Sequence, residues 1–250
     1  LSCHSPGTMA PGAYSADPVK HTLSPIVTGS TVIGMKYGGG VLIACDTLAS
    51  YGSQARYKDV CRLKKVGKYT LLGASGEISD FQYLGDMLDE LDNDDFLHED
   101  NCNMGPHEYS SYIGRVMYNR RSKMNPLYNQ FVIAGKKHNG TSMLSFVDHQ
   151  GTYFEEDFIA TGFGSYLAMP ILRNEWRADL TFDEAKAMTI KCLQICFYRD
   201  CRAFNKIQIA TCDGETQTIS DPITMDHFWG HSLWLEKRLE ANSRGTADTW

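Results

Sequence analysis

Two apolar runs, TVIGMKY (Thr31–Tyr37) and VLIACDT (Val41–Thr47), stand on either side of Gly38-Gly39. Each is of strand length and far short of the ~20 apolar residues of a membrane span. Neither alternates apolar with polar, as a strand with one wet face would; strands this continuous are covered on both faces. Gly-Gly between them is a hairpin signal. The chain must therefore supply a layer for each face of this hairpin.

The rest of the sequence supplies those layers. Strands are expected at Ser30–Tyr37 and Gly40–Thr47, then at Cys61–Val66 and Tyr69–Ser75 with a turn at Gly67-Lys68. The period then changes: Ile78, Phe81, Leu84, Leu88 and Leu91 predict an amphipathic helix over Glu77–Leu91, ended by the acidic run Asp92–Asp95. A second helix carries Tyr109, Tyr112, Ile113, Val116 and Met117 and stops near Asn125-Pro126. Strands return at Tyr128–Lys136, Ser142–Asp148 and Thr152–Ala160, with turns at Asn139-Gly140 and Gln150-Gly151. Two more helices follow, near Tyr166–Arg177 and, behind the capping box Thr181-Phe182-Asp183-Glu184, on to about Ala203. A last hairpin, Lys206–Cys212 with Gln217–Ile219, turns at Asp213-Gly214. Two helix pairs separated by blocks of strands suit helices on both outer faces of two stacked sheets.

Residues 1–28, with Pro6, Pro11, Pro18 and Pro25 and little periodicity, read as an arm or propeptide remnant, and an apolar targeting core is lacking there. The chain starts at Leu rather than Met, so further residues are expected ahead of it. Residues 29–222 form the domain, and 223–250 a C-terminal extension. The net charge of −6 speaks against a nucleic-acid surface. Arg120, Arg121 and Lys123 read as a solvated helix end. The eight cysteines form no C-x-x-C pair and are expected as reduced thiols in a protein of the cytoplasm and nucleus. Cys192 and Cys196 share a helix face, but no second pair stands at matching spacing, and core packing is the preferred reading over a metal. No cofactor is expected.

TGSTVIGMKYGGGVLIACDTLASYGS (Thr28–Ser53) resembles the N-terminal hairpin of proteasome beta subunits, which are N-terminal nucleophile hydrolases. The likeness continues, in order, through LLGASGEISDFQYL (Leu71–Leu84), YNRRSKMNPLYN (Tyr118–Asn129), ATGFGSYLA (Ala160–Ala168) and YRDCRAFNKIQIAT (Tyr198–Thr211). It implies an α+β fold, a four-layer α-β-β-α sandwich of two mainly antiparallel sheets between helix pairs. It also implies a place in a seven-membered beta ring, within a barrel capped by alpha rings.

In active members of that family a threonine with a free α-amine is the nucleophile and its own base. A lysine supplies charge, aspartates and a serine hold the set, and a glycine N–H stabilises the oxyanion. Carried onto this chain, the nucleophile position is Ser30 after Gly29, and the first aspartate is Asp46. The lysine position is Arg62, whose guanidinium stays protonated and is wider than an ammonium. The oxyanion glycine is Gly76; Phe163 stands where a serine is expected; Asp200 is the second aspartate; Ala203 replaces a second serine. With Ser30 joined to Gly29, its nitrogen is an amide and no base. Losing members of a cooperating set is not additive, so the resemblance implies a structural subunit, not an enzyme. The alternative is a peptidase using Ser30 after cleavage at Gly29. The structural readings preferred for the three survivors are that Asp46 pairs with Arg62, that Gly76 precedes a helix start, and that Asp200 pairs with Arg199, Arg202 or Lys206. The resemblance also implies partners: neighbouring beta subunits, alpha-ring subunits, and the opposite beta ring through the extension. There Phe228, Trp229, Trp234 and Trp250 are the candidate interface residues.

Overall fold

The structure is a computed structural model and describes residues 24–98, 103–214, 216–232 and 236–237. In chain order its elements are β1 (Val27–Gly29), β2 (Val32–Tyr37), β3 (Gly40–Asp46), β4 (Ala49–Tyr51), β5 (Gln54–Tyr57), β6 (Leu63–Val66) and β7 (Thr70–Glu77). Helices α1 (Ile78–Leu97) and α2 (Pro106–Ser122) follow, then β8 (Asn129–Lys136), β9 (Ser142–Val147), β10 (Tyr153–Glu155) and β11 (Phe158–Ala160). Helices α3 (Gly164–Leu167), α4 (Met169–Glu175) and α5 (Phe182–Arg199) precede β12 (Lys206–Cys212), β13 (Gln217–Ile219) and β14 (Ile223–Thr224).

The strands form two antiparallel sheets. One runs β10-β9-β8-β7-β1-β4-β5, with β6 also on β7; the other runs β11-β2-β3-β12-β13, with β14 also on β12. The hairpin turning at Gly38-Gly39 is β2–β3, with Tyr37 opposite Gly40 and Val32 opposite Cys45. Its residues divide by parity, as side chains on a pleated strand must. Ile33, Met35, Leu42 and Ala44 join Leu172, Met188 and Leu193 in a core under α3–α5. Val32, Val41, Ile43 and Cys45 face Leu71, Val132 and Leu144 of the other sheet. A third core holds the opposite face of β7 and β8 against Leu84, Leu88, Ile113 and Met117 of α1 and α2. Three cores between four layers make the α-β-β-α sandwich, the architecture expected from the element order. Cys192 and Cys196 belong to the α3–α5 core, where burial pushes the Cys192 thiol up to about 12 and Cys196 to about 11.

Several expectations are corrected. Helix α1 does not end at Asp92–Asp95 but runs through them to Leu97. Those carboxylates serve as acceptors: Tyr109 Oη donates to Asp92 at 2.8 Å and the Met104 N–H to Asp95 at 3.0 Å, docking the start of α2. The single strand expected over Thr152–Ala160 is two. β10 lengthens the first sheet, and β11 crosses to pair with β2 in the second. The Lys36–Asp157 ion pair at 2.9 Å pins the crossing. The helix expected over Tyr166–Arg177 is α3 and α4, with Pro170 in the first turn of α4, where its missing N–H is not needed. The Thr181 capping box opens α5, which ends at Arg199 rather than near Ala203. Val27 and Thr28, placed in the arm by composition, belong with Gly29 to a strand within a sheet. Strands β4, β5 and β14, of two to four residues, were too short to carry a period.

Candidate functional site

Ser30 is the residue at which the chain leaves the first sheet, at β1, and enters the second, at β2. It is half-buried, and its hydroxyl donates to Asp200 Oδ2 at 2.5 Å. Asp200 is the C-cap of α5 and is buried; its other oxygen accepts the Arg202 N–H at 2.9 Å. The side-chain ion pairs expected for Asp200 give way to these two contacts, and Lys206 instead pairs with Asp59 at 3.0 Å. The next residue, Thr31, is buried and accepts the Gly164 N–H at 3.0 Å, tying the start of β2 to α3.

Arg62 is fully buried. Nε donates to the Asp46 carbonyl at 3.1 Å, Nη1 to the carbonyls of Ser30 at 3.3 Å and Ala74 at 3.0 Å, and Nη2 to that of Thr31 at 2.9 Å. Nη2 also pairs with the Asp46 carboxylate, the ion pair expected from sequence. The second Asp46 oxygen accepts the Phe204 N–H at 3.0 Å. Burial raises the Asp46 carboxyl to about 6, against the pull of the guanidinium. A planar fork serves four carbonyls here; an ammonium, with three donors, could not. Gly29 lies against this side chain, and a Cβ there would stand 2.4 Å from Arg62 Cδ.

The segment before Ser30 occupies its own surroundings. β1 is hydrogen-bonded on both edges, to β4 (Thr28 opposite Ser50) and to β7 (Thr28 opposite Glu77, Gly29 opposite Gly76). The Glu77 carboxylate accepts the N–H groups of Ile26 at 2.5 Å and Val27 at 3.1 Å. Gly76 is more than a helix boundary: its φ is +94°, and a Cβ would meet the Tyr128 carbonyl oxygen at 2.1 Å. Beside β1 a cleft of about 320 Å³ remains, bordered by Ser30, Asn129, His149, Phe163 and Arg202. Phe163 is 55% exposed and offers this cleft an apolar ring where a hydroxyl was sought. Ala203 caps Asp200 through its backbone N–H at 3.2 Å and adds no side-chain polar group.

The polar groups around Ser30 thus form a closed set. Its hydroxyl has an acceptor in Asp200, its nitrogen is acylated by Gly29, and the Arg62 guanidinium beside it is bound to carbonyls and to Asp46. Sequence reasoning brought Ser30, Asp46, Arg62, Gly76, Phe163, Asp200 and Ala203 to this corner. It missed Gly29 as a packing residue, Thr31, and above all Glu77, which looked like the first residue of a helix.

The proteasome subunit family model matches residues 26–212, the span from β1 to β12. The chain belongs to the proteasome subunit family. It is 49% identical to proteasome subunit beta type-4 of Arabidopsis thaliana over 92% of each chain. It is 45% identical to the Xenopus laevis protein of the same name, over 86% of this chain and 89% of that one. Saccharomyces cerevisiae proteasome subunit beta type-7 is 38% identical over 82% of this chain and 83% of its own.

A second feature of this proteasome family chain lies away from Ser30. After β14 the chain crosses α5, where the Phe228 N–H donates to Tyr198 Oη at 2.8 Å. The Trp229 ring sits edge-on to Tyr198, centroids 5.0 Å apart, and contacts Phe197 at 6.1 Å. Phe228 and Trp229 nonetheless stay 70% and 61% exposed. Trp234 and Trp250 lie outside the described residues.

Proposed function

We propose that this chain is a structural, non-catalytic beta-type subunit of the proteasome core. It closes the beta ring, walls the proteolytic chamber and helps join the two halves of the barrel, in the cytoplasm and nucleus. The observation that carries the reading is Arg62. In place of an ammonium near the nucleophile, the chain has a guanidinium whose donors are directed at Asp46 and four backbone carbonyls. The amide nitrogen of Ser30 and the side chains of Phe163 and Ala203 support it, since none can take up or relay a proton. The names of the relatives support the beta-type position.

The test is labelling of assembled barrels with a threonine-protease electrophile, followed by intact-mass analysis of each subunit. The expected result is a label on other beta subunits and none on this chain. A labelled chain beginning at Ser30 would instead make it a peptidase.

The partner surface we assign to the extension rests on Phe228 and Trp229, large rings held on α5 with their outer faces exposed. Deleting the residues after Ile223 is expected to impair joining of half-barrels while leaving peptide hydrolysis per completed barrel unchanged. Normal assembly of the truncated chain would remove this role.

A further inference from the structure

We propose that the Asn139-Gly140 turn is a site of spontaneous modification, where the asparagine amide is lost through a cyclic imide to give aspartate and isoaspartate. The turn joins β8 to β9 at the exposed end of the first sheet, and Asn139, Gly140 and Thr141 are all exposed. Gly140 has φ +80°, and no atom lies within 4 Å of where its Cβ would be, so no side chain crowds the approach to the Asn139–Gly140 peptide from that side. The feature that goes beyond the dipeptide is Thr141. Its N–H and its hydroxyl both donate to Asn139 Oδ1, at 3.0 Å and 2.6 Å. These donors polarise the carbonyl that would be attacked, and they face the oxygen on which negative charge would develop.

The chemistry balances with water alone. The Gly140 nitrogen gives its proton to solvent base and bonds to Asn139 Cγ, placing the charge on Oδ1. The carbonyl re-forms as the side-chain nitrogen leaves as ammonia, carrying a proton from water. Water then opens the imide at either carbonyl. Opening at one keeps the main chain as aspartate; opening at the other routes it through the side chain, one methylene longer. The Gly140 N–H is held by the Lys137 carbonyl at 2.8 Å, so the turn must open before each attack, and this makes the reaction slow. The aspartate product remains an acceptor for Thr141. The isoaspartate product cannot keep the pairing of the Lys137 N–H with the Thr141 carbonyl, now 2.9 Å.

The experiment incubates the purified full-length chain near neutral pH and follows each asparagine peptide by mass, with isoaspartate read by an isoaspartyl methyltransferase. Asn139 is expected to react at least about tenfold faster than Asn93 and Asn174, which are exposed but helical, because of these three Asn139 alone is followed by glycine in a turn and has two donors on its side-chain oxygen. Its rate should rise with pH. Thr141→Val, which removes one donor, is expected to slow it several-fold, and Gly140→Ala more. If Asn139 reacts no faster than Asn93 and Asn174, or if Thr141→Val reacts as fast as the parent, the proposal is wrong.

Discussion

Arg62 and Trp229 are both large side chains with a polar handle, and the fold treats them in opposite ways. Arg62 is 0% exposed, with five contacts to carbonyls and Asp46; Trp229 is 61% exposed, resting edge-on against α5. The corner around Arg62 is satisfied within the chain. The segment after β14 holds its rings in place yet leaves their outer faces uncovered. An enzyme needs the reverse at the first of these places, a nucleophile with an unengaged base. A subunit of a larger assembly needs the second as it stands. The Arg62 corner should therefore govern the stability of the chain, and the Phe228–Trp229 segment its associations.

The largest effect belongs to Arg62→Ala. It leaves the Asp46 carboxylate buried without its partner and strips donors from four carbonyls, so a loss of roughly 3–5 kcal/mol is expected. Arg62→Lys is the sharper test. It keeps the charge but has three donors where the guanidinium makes five contacts, so two or more acceptors go unserved at ~1–3 kcal/mol each. Urea denaturation of the full-length chain should rank parent above lysine above alanine. A lysine variant as stable as the parent would mean that Arg62 is no structural hub.

The Asp46 side of the same pair gives a pH dependence. Its carboxyl is raised from 3.8 to about 6, chiefly by burial, so within that window the folded chain keeps a proton that the unfolded chain has released. The contribution of this group to stability therefore falls as pH rises from about 4 to about 6, by roughly 3 kcal/mol, and is flat above. Asp46→Asn should abolish that component of the slope in denaturation curves taken between the two pH values. An unchanged slope would place the carboxyl pKa in its ordinary range.

How much of this was legible in the sequence depends on the reach of each interaction. The layers were, because the unbroken apolar runs through Val32, Ile33, Leu42 and Ile43 and the spacing of Leu84 and Leu88 are local patterns set by covering cores. The Arg62–Asp46 pair was, through spacing known from a family. The hydrogen bond from Ser30 to Asp200 joins residues 170 apart, and nothing local separated it from the nearer basic residues around Asp200. Glu77 was misread for the same reason: its partners Ile26 and Val27 lie about 50 residues back, in a segment whose composition resembled an arm. The split of β10 from β11 was hidden because both halves are extended and only the sheet they join differs.

Glu77 offers the next test. Its carboxylate anchors the N–H groups of Ile26 and Val27 and accepts the Ser79 hydroxyl at 3.1 Å. Glu77→Ala should cost about 1–2 kcal/mol, as loss of charge-assisted hydrogen bonds made by a buried carboxylate. It should also expose the backbone near Val27 to limited proteolysis before the rest of the chain. Cleavage no faster than in the parent would show that pairing with β4 and β7 holds β1 without the carboxylate.

The smallest effect on the chain itself, and the one that most sharpens the contrast with Arg62, is expected from Phe228→Ala with Trp229→Ala. Both rings are mostly exposed, and the segment keeps its backbone bond to Tyr198, so the isolated chain should lose no more than ~0.5–1 kcal/mol. Recovery of completed barrels by gel filtration should fall far more than that figure suggests, since aromatic anchors dominate the interfaces they enter. A loss of chain stability comparable to that of Arg62→Ala would mean the rings complete the domain's own core. A double variant that assembles normally would leave them without a partner. The intermediate result, a stable chain that stalls as half-barrels, is the one that follows from rings anchored on one side and open on the other.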